Sequence, residues 1–465
     1  MRLFNRYYSR YDLTLVLGDI ALVFVTTTAV RAVSAWVGTP SEPQWLFWSL
    51  HGLAMAFVVV IAFYYSDLYA LDQTVSVREL ILRFIGGLGT ACIGIGVVSY
   101  PVPEFGKALY FSEMLFMGVG LCLWRIGLMR LIRQAAIHAK VLIVGVEAIG
   151  KLVAEELCQQ KRLGMEIVGF VGNSAGAMAL SYGNPTHIKL PVFLPPSVPD
   201  LIEQKKVDRI LLAGAESCSA SLLQELVSLR ARGVPIEDCH SFYERLVSKI
   251  AVIDLTAEWL VLSKGFRRDP LVMFTKRLID IAASVAGLVL SAPIFLLTAL
   301  AIKLDSRGSI FYKQERVGQD EERFTLYKFR SMAENAEANM GPVWASENDP
   351  RVTRVGQITR KLRIDEIPQI FNVLKGEMSF VGPRPERPFF VEKLKEKIPY
   401  YYLRHSVKPG ITGWAQIRYA YGDSEEGAVE KLQYDLYYIK NMSALFDLQI
   451  IFESFKTILL GRGAR

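Results

Sequence analysis

Before residue 135 the chain alternates long apolar runs with short polar joints. The runs fall at about 12–34, 45–66, 82–100 and 108–129, each near the ~20 residues that a helix needs to cross a bilayer. Arg2, Arg6 and Arg10 precede the first run, and no short signal-peptide core with a small-residue cleavage site is present, so this run reads as an anchor. The joint at 35–45 has no Lys or Arg, the next has Arg78, the third has one Lys, and Arg130, Arg133 and Lys140 follow the fourth run. Positive charge marks the cytoplasmic side of such loops. The pattern predicts a four-span helical bundle over 1–135, with its N-terminus and everything after it in the cytoplasm.

From Lys140 onward the period changes. Val141-Leu-Ile-Val144 is a strand-like run ending at Gly145, followed by a helical period through Cys158. Strand patterns recur at 166–171, 190–194 and 209–212, with helical ones near 198–205 and 219–232. Such alternation predicts an α/β doubly wound, Rossmann-like domain over 139–235. Its first turn, Gly145-Val-Glu-Ala-Ile-Gly150, has Glu147 where a dinucleotide-binding turn has its middle glycine. A carboxylate there repels a pyrophosphate. Asn173 also stands where an acidic residue would hold the ribose. The nucleotide-binding fold therefore reads as degenerate, and 236–270 as a connecting segment.

A fifth apolar run, 281–302, carries no formal charge. Lys276 and Arg277 precede it and Lys303 and Arg307 follow it, so the charge rule favours cytoplasm at both ends. Pro293 sits mid-run, where it removes a helix hydrogen bond and forces a bend, and Ser291 is expected to satisfy the freed carbonyl. The expectation is a re-entrant helix over 278–303 that enters and leaves by one leaflet.

Composition agrees with membrane segments: the chain is 51% hydrophobic with net charge +7. The basic balance suits an anionic membrane or phosphorylated substrates. No zinc-finger, helix-turn-helix or aromatic–basic RNA signature is present, so nucleic acid is not expected as a partner. Five scattered cysteines without a Cys-x-x-Cys pair argue against a disulfide framework. His240 and His405 lack metal-ligand spacing and are expected in surface or satisfied polar roles. The tyrosine-rich stretches 399–402 and 434–438 suit a membrane interface or core packing.

The chemistry concentrates at Asp365 and Glu366, within Thr359-Arg-Lys-Leu-Arg-Ile-Asp-Glu-Ile-Pro-Gln369. Paired carboxylates among guanidinium groups make a poor core and a good polyphosphate site, where one can attack phosphorus and the other share a divalent cation. Arg360 and Arg384 are candidate phosphate clamps, because guanidinium binds phosphate oxygens in pairs. Lys328, Arg330 and Arg363 are further basic candidates, of which only some are expected to line the site. Trp414 and Gln416 are weaker candidates for contact with nucleotide or sugar, and packing is the equal alternative for Trp414.

These residues sit in an ordered series of motifs: Lys276-Arg-Leu-Ile-Asp280, Ser291-Ala-Pro293, Phe311–Gly318, Tyr327–Met332, Asn348–Thr353, Ile364–Gln369, Asn372–Gly376, Gly382-Pro-Arg-Pro385 and Lys408–Gln416. The series resembles the bacterial sugar transferases, or monotopic phosphoglycosyl transferases, across 271–465. The upstream region is similar to the large subgroup typified by undecaprenyl-phosphate glucose and galactose phosphotransferases of exopolysaccharide assembly. The resemblance implies an α-rich monotopic catalytic domain in the inner membrane, facing the cytoplasm. It further implies transfer of a hexose-1-phosphate from a UDP-sugar to undecaprenyl phosphate with release of UMP. Asp365 would be the nucleophile and Glu366 would position Mg2+. A homodimer is the default assembly. Two rival readings stand: a nucleotide-sugar oxidoreductase or dehydratase built on 139–235, and a non-enzymatic assembly scaffold.

Overall fold

The structure, a computed structural model, describes residues 2–3, 6–7, 10–36, 45–69, 77–99, 107–134, 139–159, 164–172, 176–182, 186–195, 198–214, 218–253, 255–263, 265–333, 351–419 and 424–459. Asn173, the joint at 101–106 and the Asn348-Asp-Pro part of its motif lie outside them. The chain divides into two compact units. The first comprises Met1–Val144, Ala154–Leu211 and Cys218–Ile236; the second comprises Gly145–Val153, Leu212–Ser217 and Glu237–Arg465.

In the first unit, two short strands, β1 (Arg2–Leu3) and β2 (Arg6–Tyr7), precede helices α1 (Arg10–Trp36), α2 (Trp45–Tyr65), α3 (Val77–Ser99) and α4 (Lys107–Gln134). The four helices share one core, to which they contribute Val23, Met55, Phe63, Ile95 and Leu121. Outward positions such as Leu17, Phe57, Ile93 and Phe111 are apolar and exposed, the inverse of a water-facing bundle. One buried polar group is shared: Arg125 donates to Asp19 at 2.7 Å, and Tyr69 OH donates to the same carboxylate at 2.8 Å. Among the described residues, four helices are long and apolar enough to cross a membrane: α1, α3, α4 and a later helix, α10 (Pro270–Asp305). The apolar stretch described in α2, Ser49–Tyr65, is shorter.

A six-stranded sheet follows, in the order β5-β6-β4-β3-β7-β8. Its strands are β3 (Ala139–Val144), β4 (Met165–Val171), β5 (Gly176–Tyr182), β6 (Thr186–Phe193), β7 (Arg209–Leu212) and β8 (Ile236–Asp238). Five strands are parallel, and β5 pairs antiparallel with β6 at the edge. Helices α5 (Ala148–Gln159), α6 (Val198–Lys205) and α7 (Ala220–Ala231) alternate with the strands. β3 is buried as an almost continuous apolar run, as expected for a strand covered on both faces.

The second unit is built on α10, whose first turn is set by the Asp269 side chain accepting from Leu271 N and by Pro270 at the helix start. The helix is continuous for 36 residues with Pro293 inside it. Ser291 does not do what the sequence suggested, since its hydroxyl finds no partner among the described residues. The carbonyl freed by Pro293 is that of Val289, whereas a helical serine reaches back three or four residues. Around α10 lie α8 (Cys239–Val247), α9 (Ala257–Leu262) and the hairpin β9 (Phe311–Val317)/β10 (Arg323–Phe329). They are followed by α11 (Arg354–Lys361), α12 (Ile370–Lys375), β11 (Ser379–Val381), α13 (Pro388–Lys397), β12 (Gly410–Thr412), α14 (Trp414–Arg418), α15 (Glu425–Lys440) and α16 (Ala444–Leu459). The core joins Ile250, Leu255, Val381, Trp414, Leu436 and Ile450, so the segment read as a connector contributes to it. Tyr401, Tyr437 and Tyr438 are buried there, which decides for core packing over a membrane-interface role at those three.

Candidate active site

Short-range geometry presents the two carboxylates. Thr353 caps α11 by accepting from Gly356 N at 3.0 Å. Arg363 ends it in the left-handed region (φ 57°) and turns the chain into a 3-10 segment, Ile364–Gln369. A non-glycine residue holds that conformation at a cost of about 1 kcal/mol, so the turn is maintained by its surroundings. Pro368 keeps the segment short, and β10 packs along it. Asp365 and Glu366 are 7% and 8% exposed.

Three cations converge on one oxygen of Glu366. Arg384 NH2 lies 2.8 Å from Oε1, Lys328 Nζ 3.0 Å and Arg363 NH1 3.5 Å. Burial alone would raise the Glu366 pKa, but Lys328, then Arg384 and Arg363, outweigh it and hold the carboxyl well below its usual range. Asp365 goes the other way. Burial raises its pKa, Lys328 opposes the rise and the charge of Glu366 adds to it. Its carboxylate makes no hydrogen bond to any described residue. The neighbours are thus driven apart, one a fixed anion and the other an unengaged carboxylate, which is the pattern of two groups with different tasks.

The Gly382–Pro385 turn that carries Arg384 is pinned carbonyl by carbonyl. Pro383 O accepts from Gly410 N at 2.9 Å, Arg384 O from Arg404 NH2 at 3.0 Å, Pro385 O from Arg316 NH1 at 2.9 Å and Glu386 O from Val317 N at 3.0 Å. A Cβ at Gly382 or Gly410 would collide with backbone of the facing strand, so glycine is required by close approach. Arg404 is itself held by Asp435 Oδ2 at 2.9 Å and Tyr401 OH at 2.7 Å. Arg316, Arg404 and Asp435 were not selected from the sequence. The signal for Arg316 was its place inside the Phe311–Gly318 motif; Arg404 lies four residues before Lys408-Pro-Gly.

The remaining candidates fall elsewhere. Arg360 donates from Nε to Ser331 Oγ at 2.9 Å and acts on Asp365 through its charge. Arg330, just past the end of β10, turns to the two residues that follow α10, donating to Arg307 O at 2.6 Å and Ser306 O at 2.9 Å. It braces a helix end and does not join the cationic wall. Trp414 is 1% exposed, donates to Ser248 O at 2.8 Å and packs on Tyr437 and Phe446. That is core packing, driven by the area a buried indole removes from water. Gln416 donates to Ile411 O at 3.2 Å, within its own turn. His405 is buried, not superficial, and burial followed by the charge of Arg404 lowers its pKa to about 4. A small cavity lined by Glu386, Phe390, Tyr401 and Arg404 includes neither carboxylate of the dyad in its wall.

The turn after β3 holds a second arrangement. The Glu147 carboxylate fills the space in front of Gly145, where a Cβ would collide with it, and its Oε1 lies 3.0 Å from a Cβ built on Gly214. Those two glycines follow β3 and β7, the strands flanking the switch point where open sheets bind ligands.

The stretch that carries these residues matches known proteins. The family model for bacterial sugar transferases matches residues 271–461. The chain is 49% identical over 232 residues to a UDP-N-acetylgalactosamine-undecaprenyl-phosphate N-acetylgalactosaminephosphotransferase of Aeromonas hydrophila, covering 50% of this chain and 54% of the relative. It is 37% identical over 276 residues to an undecaprenyl-phosphate glucose phosphotransferase of Komagataeibacter xylinus, covering 56% and 50%. It is also 41% identical over 182 residues to the exopolysaccharide production protein PSS of Rhizobium leguminosarum bv. phaseoli, covering 38% of this chain and 91% of that protein. The chain belongs to the bacterial sugar transferase family. It spans about half the length of the first two relatives.

Proposed function

We propose that the chain transfers a hexose-1-phosphate from a UDP-sugar to undecaprenyl phosphate and so starts assembly of an exopolysaccharide, capsule or O-antigen unit. The observation that carries this reading is the divergence of the dyad: Asp365 buried and without a hydrogen bond to any described residue, Glu366 fixed by three cations. In the first step an Asp365 oxygen attacks the sugar-bearing phosphorus, an aspartyl–phosphate bond forms and UMP leaves. In the second, the polyprenyl phosphate oxygen attacks the same phosphorus and the aspartate is released. The detour divides one encounter between two anions into two easier displacements. Arg384, Lys328 and Arg363 supply positive charge where phosphate oxygens gather, and Arg360 adds to it from one turn away.

The donor set fits Mg2+. This ion takes one or two carboxylates and completes its shell with water and phosphate oxygens. Glu366 would hold the ion with Asp365 beside it, and a bound Mg2+ would neutralise the diphosphate.

The organisation proposed is a membrane region to residue 135, a Rossmann-like domain over 139–235, a connecting segment over 236–270 and the catalytic domain from 271. Both ends of the 278–303 stretch lie on the cytoplasmic side of the inner membrane, and the chain forms a homodimer. Lys276 and Lys303 at the two ends of α10 support the same-side reading. The test is incubation of purified protein with undecaprenyl phosphate, Mg2+ and a panel of UDP-sugars. UMP release dependent on both substrates is expected; none with any sugar would overturn the reading.

A further inference from the structure

At the far end of α12 from the dyad, charges do not balance. Arg277 reaches across from α10 and donates to Val373 O at 2.6 Å and Leu374 O at 2.7 Å, the closing carbonyls of α12. Gly376 then ends the helix at φ +89°, and a Cβ there would lie 3.5 Å from Lys408 Nζ and 3.6 Å from Arg277 NH2. The absent side chain leaves both cations reachable over one α-carbon. The nearby carboxylates are already engaged. Asp447 takes Lys276 at 2.7 Å and Tyr438 OH at 2.8 Å, while Asp280 accepts from Ser379 Oγ at 3.0 Å and Phe380 N at 2.9 Å.

Lys408 is half-buried and makes no hydrogen bond to any described residue. Lys276, Arg277 and Lys408 therefore face two carboxylates, and one positive charge is left over. Burial lowers the Lys408 pKa, Arg277 and Lys276 lower it further, and the charge of Asp280 only partly opposes them. An ammonium held partly out of water beside a guanidinium is unfavourable unless an anion joins them. Guanidinium together with a point-like ammonium suits the tetrahedral oxygens of phosphate.

We propose that Arg277, Lys408 and the opening at Gly376 form a second anion site, which binds a phosphate ester. The surroundings favour the phosphate of an amphiphile: Leu271, Phe274 and Leu278 of α10 and Leu445 and Leu448 of α16 are all exposed. Asp447, between those two leucines, is the residue bonded to Lys276 of α10. The notch thus opens beside apolar side chains, as a headgroup-level site would.

The test uses the full chain in nonionic detergent and reads the thermal midpoint against dihexanoyl-phosphatidylglycerol, inorganic phosphate and phosphate-free dihexanoylglycerol. Lys408→Gln is expected to raise the half-saturating concentration of the responding phosphate probe by about tenfold, with Lys408→Arg within about threefold of wild type. A response to phosphatidylglycerol alone names a lipid; an equal response to inorganic phosphate names a soluble phosphate. Both support the notch when they depend on Lys408. Unchanged affinity in Lys408→Gln, or a loss that follows Arg384→Gln instead, would overturn the proposal by assigning the binding to the dyad site.

Discussion

Replacing Arg404 by glutamine strands a buried carboxylate. The Arg404 and Asp435 side chains are 5% and 2% exposed, and the guanidinium holds Asp435 Oδ2 at 3.1 and 2.9 Å while also donating to the Arg384 carbonyl. Removing one partner of a buried pair costs about 3–5 kcal/mol, because the other charge remains without compensation. Burial already raises the Asp435 pKa against the pull of Arg404, and without Arg404 it rises further. A carboxyl whose folded pKa lies above its unfolded value favours the folded state in acid and loses that contribution as pH rises through the folded pKa. The defect of Arg404→Gln should therefore be small in acid and largest at neutral pH.

Replacing both partners, as Arg404→Met with Asp435→Leu, should recover most of the stability, since apolar substitutes for a buried pair are often neutral. Transfer should stay impaired, because Arg384 O has lost its donor and the turn its aim. Thermal midpoints of the full chain at about pH 5 and about pH 8, beside kcat and KM for UMP release, check both halves. A pH-independent loss of stability, or a double variant with full turnover, would refute the reasoning.

Lys328 lowers the pKa of both dyad carboxyls, so Lys328→Gln should move the acid limb of the kcat/KM–pH profile to higher pH; an unmoved limb would contradict that electrostatic role. Trp414→Phe removes the 2.8 Å bond to Ser248 O, and should cost about 0.5–1.5 kcal/mol of stability with KM for the UDP-sugar unchanged; a raised KM would restore Trp414 to the substrate site. Cysteines introduced near 274 and 308 should resist an impermeant external reagent equally in intact cells, and labelling of either would reject the same-side arrangement.

What could be read from the sequence follows the physics of each signal. Apolar runs and the β-α alternation depend on burial periodicity, and the helices over 10–36, 77–99, 198–205 and 220–231 lie where that periodicity put them. The strand at 176–182 was missed: Gly176-Ala-Met-Ala-Leu-Ser-Tyr182 has little β-branched character, and its pairing with β6 comes from tertiary context. At the site, the adjacency of Asp365 and Glu366 and the Arg384 turn were visible as motifs. Which cation faces the dyad was not, because Lys328 and Arg330 differ only in where β10 ends and α10 needs a brace. Arg316 and Arg404 escaped because they act on backbone carbonyls, and nothing in a charge pattern separates such a brace from a solvated arginine.

The claim that Asp365 is the nucleophile is tested most directly by mass spectrometry of protein incubated with UDP-sugar and Mg2+ and no lipid acceptor, then digested under conditions that preserve acyl phosphates. A sugar-phosphate mass should appear on the peptide containing Asp365, disappear when undecaprenyl phosphate is added, and be absent from Asp365→Asn, whose amide cannot form the bond. An adduct mapped to another residue, or Asp365→Asn protein that turns over at near the wild-type rate, would contradict the account.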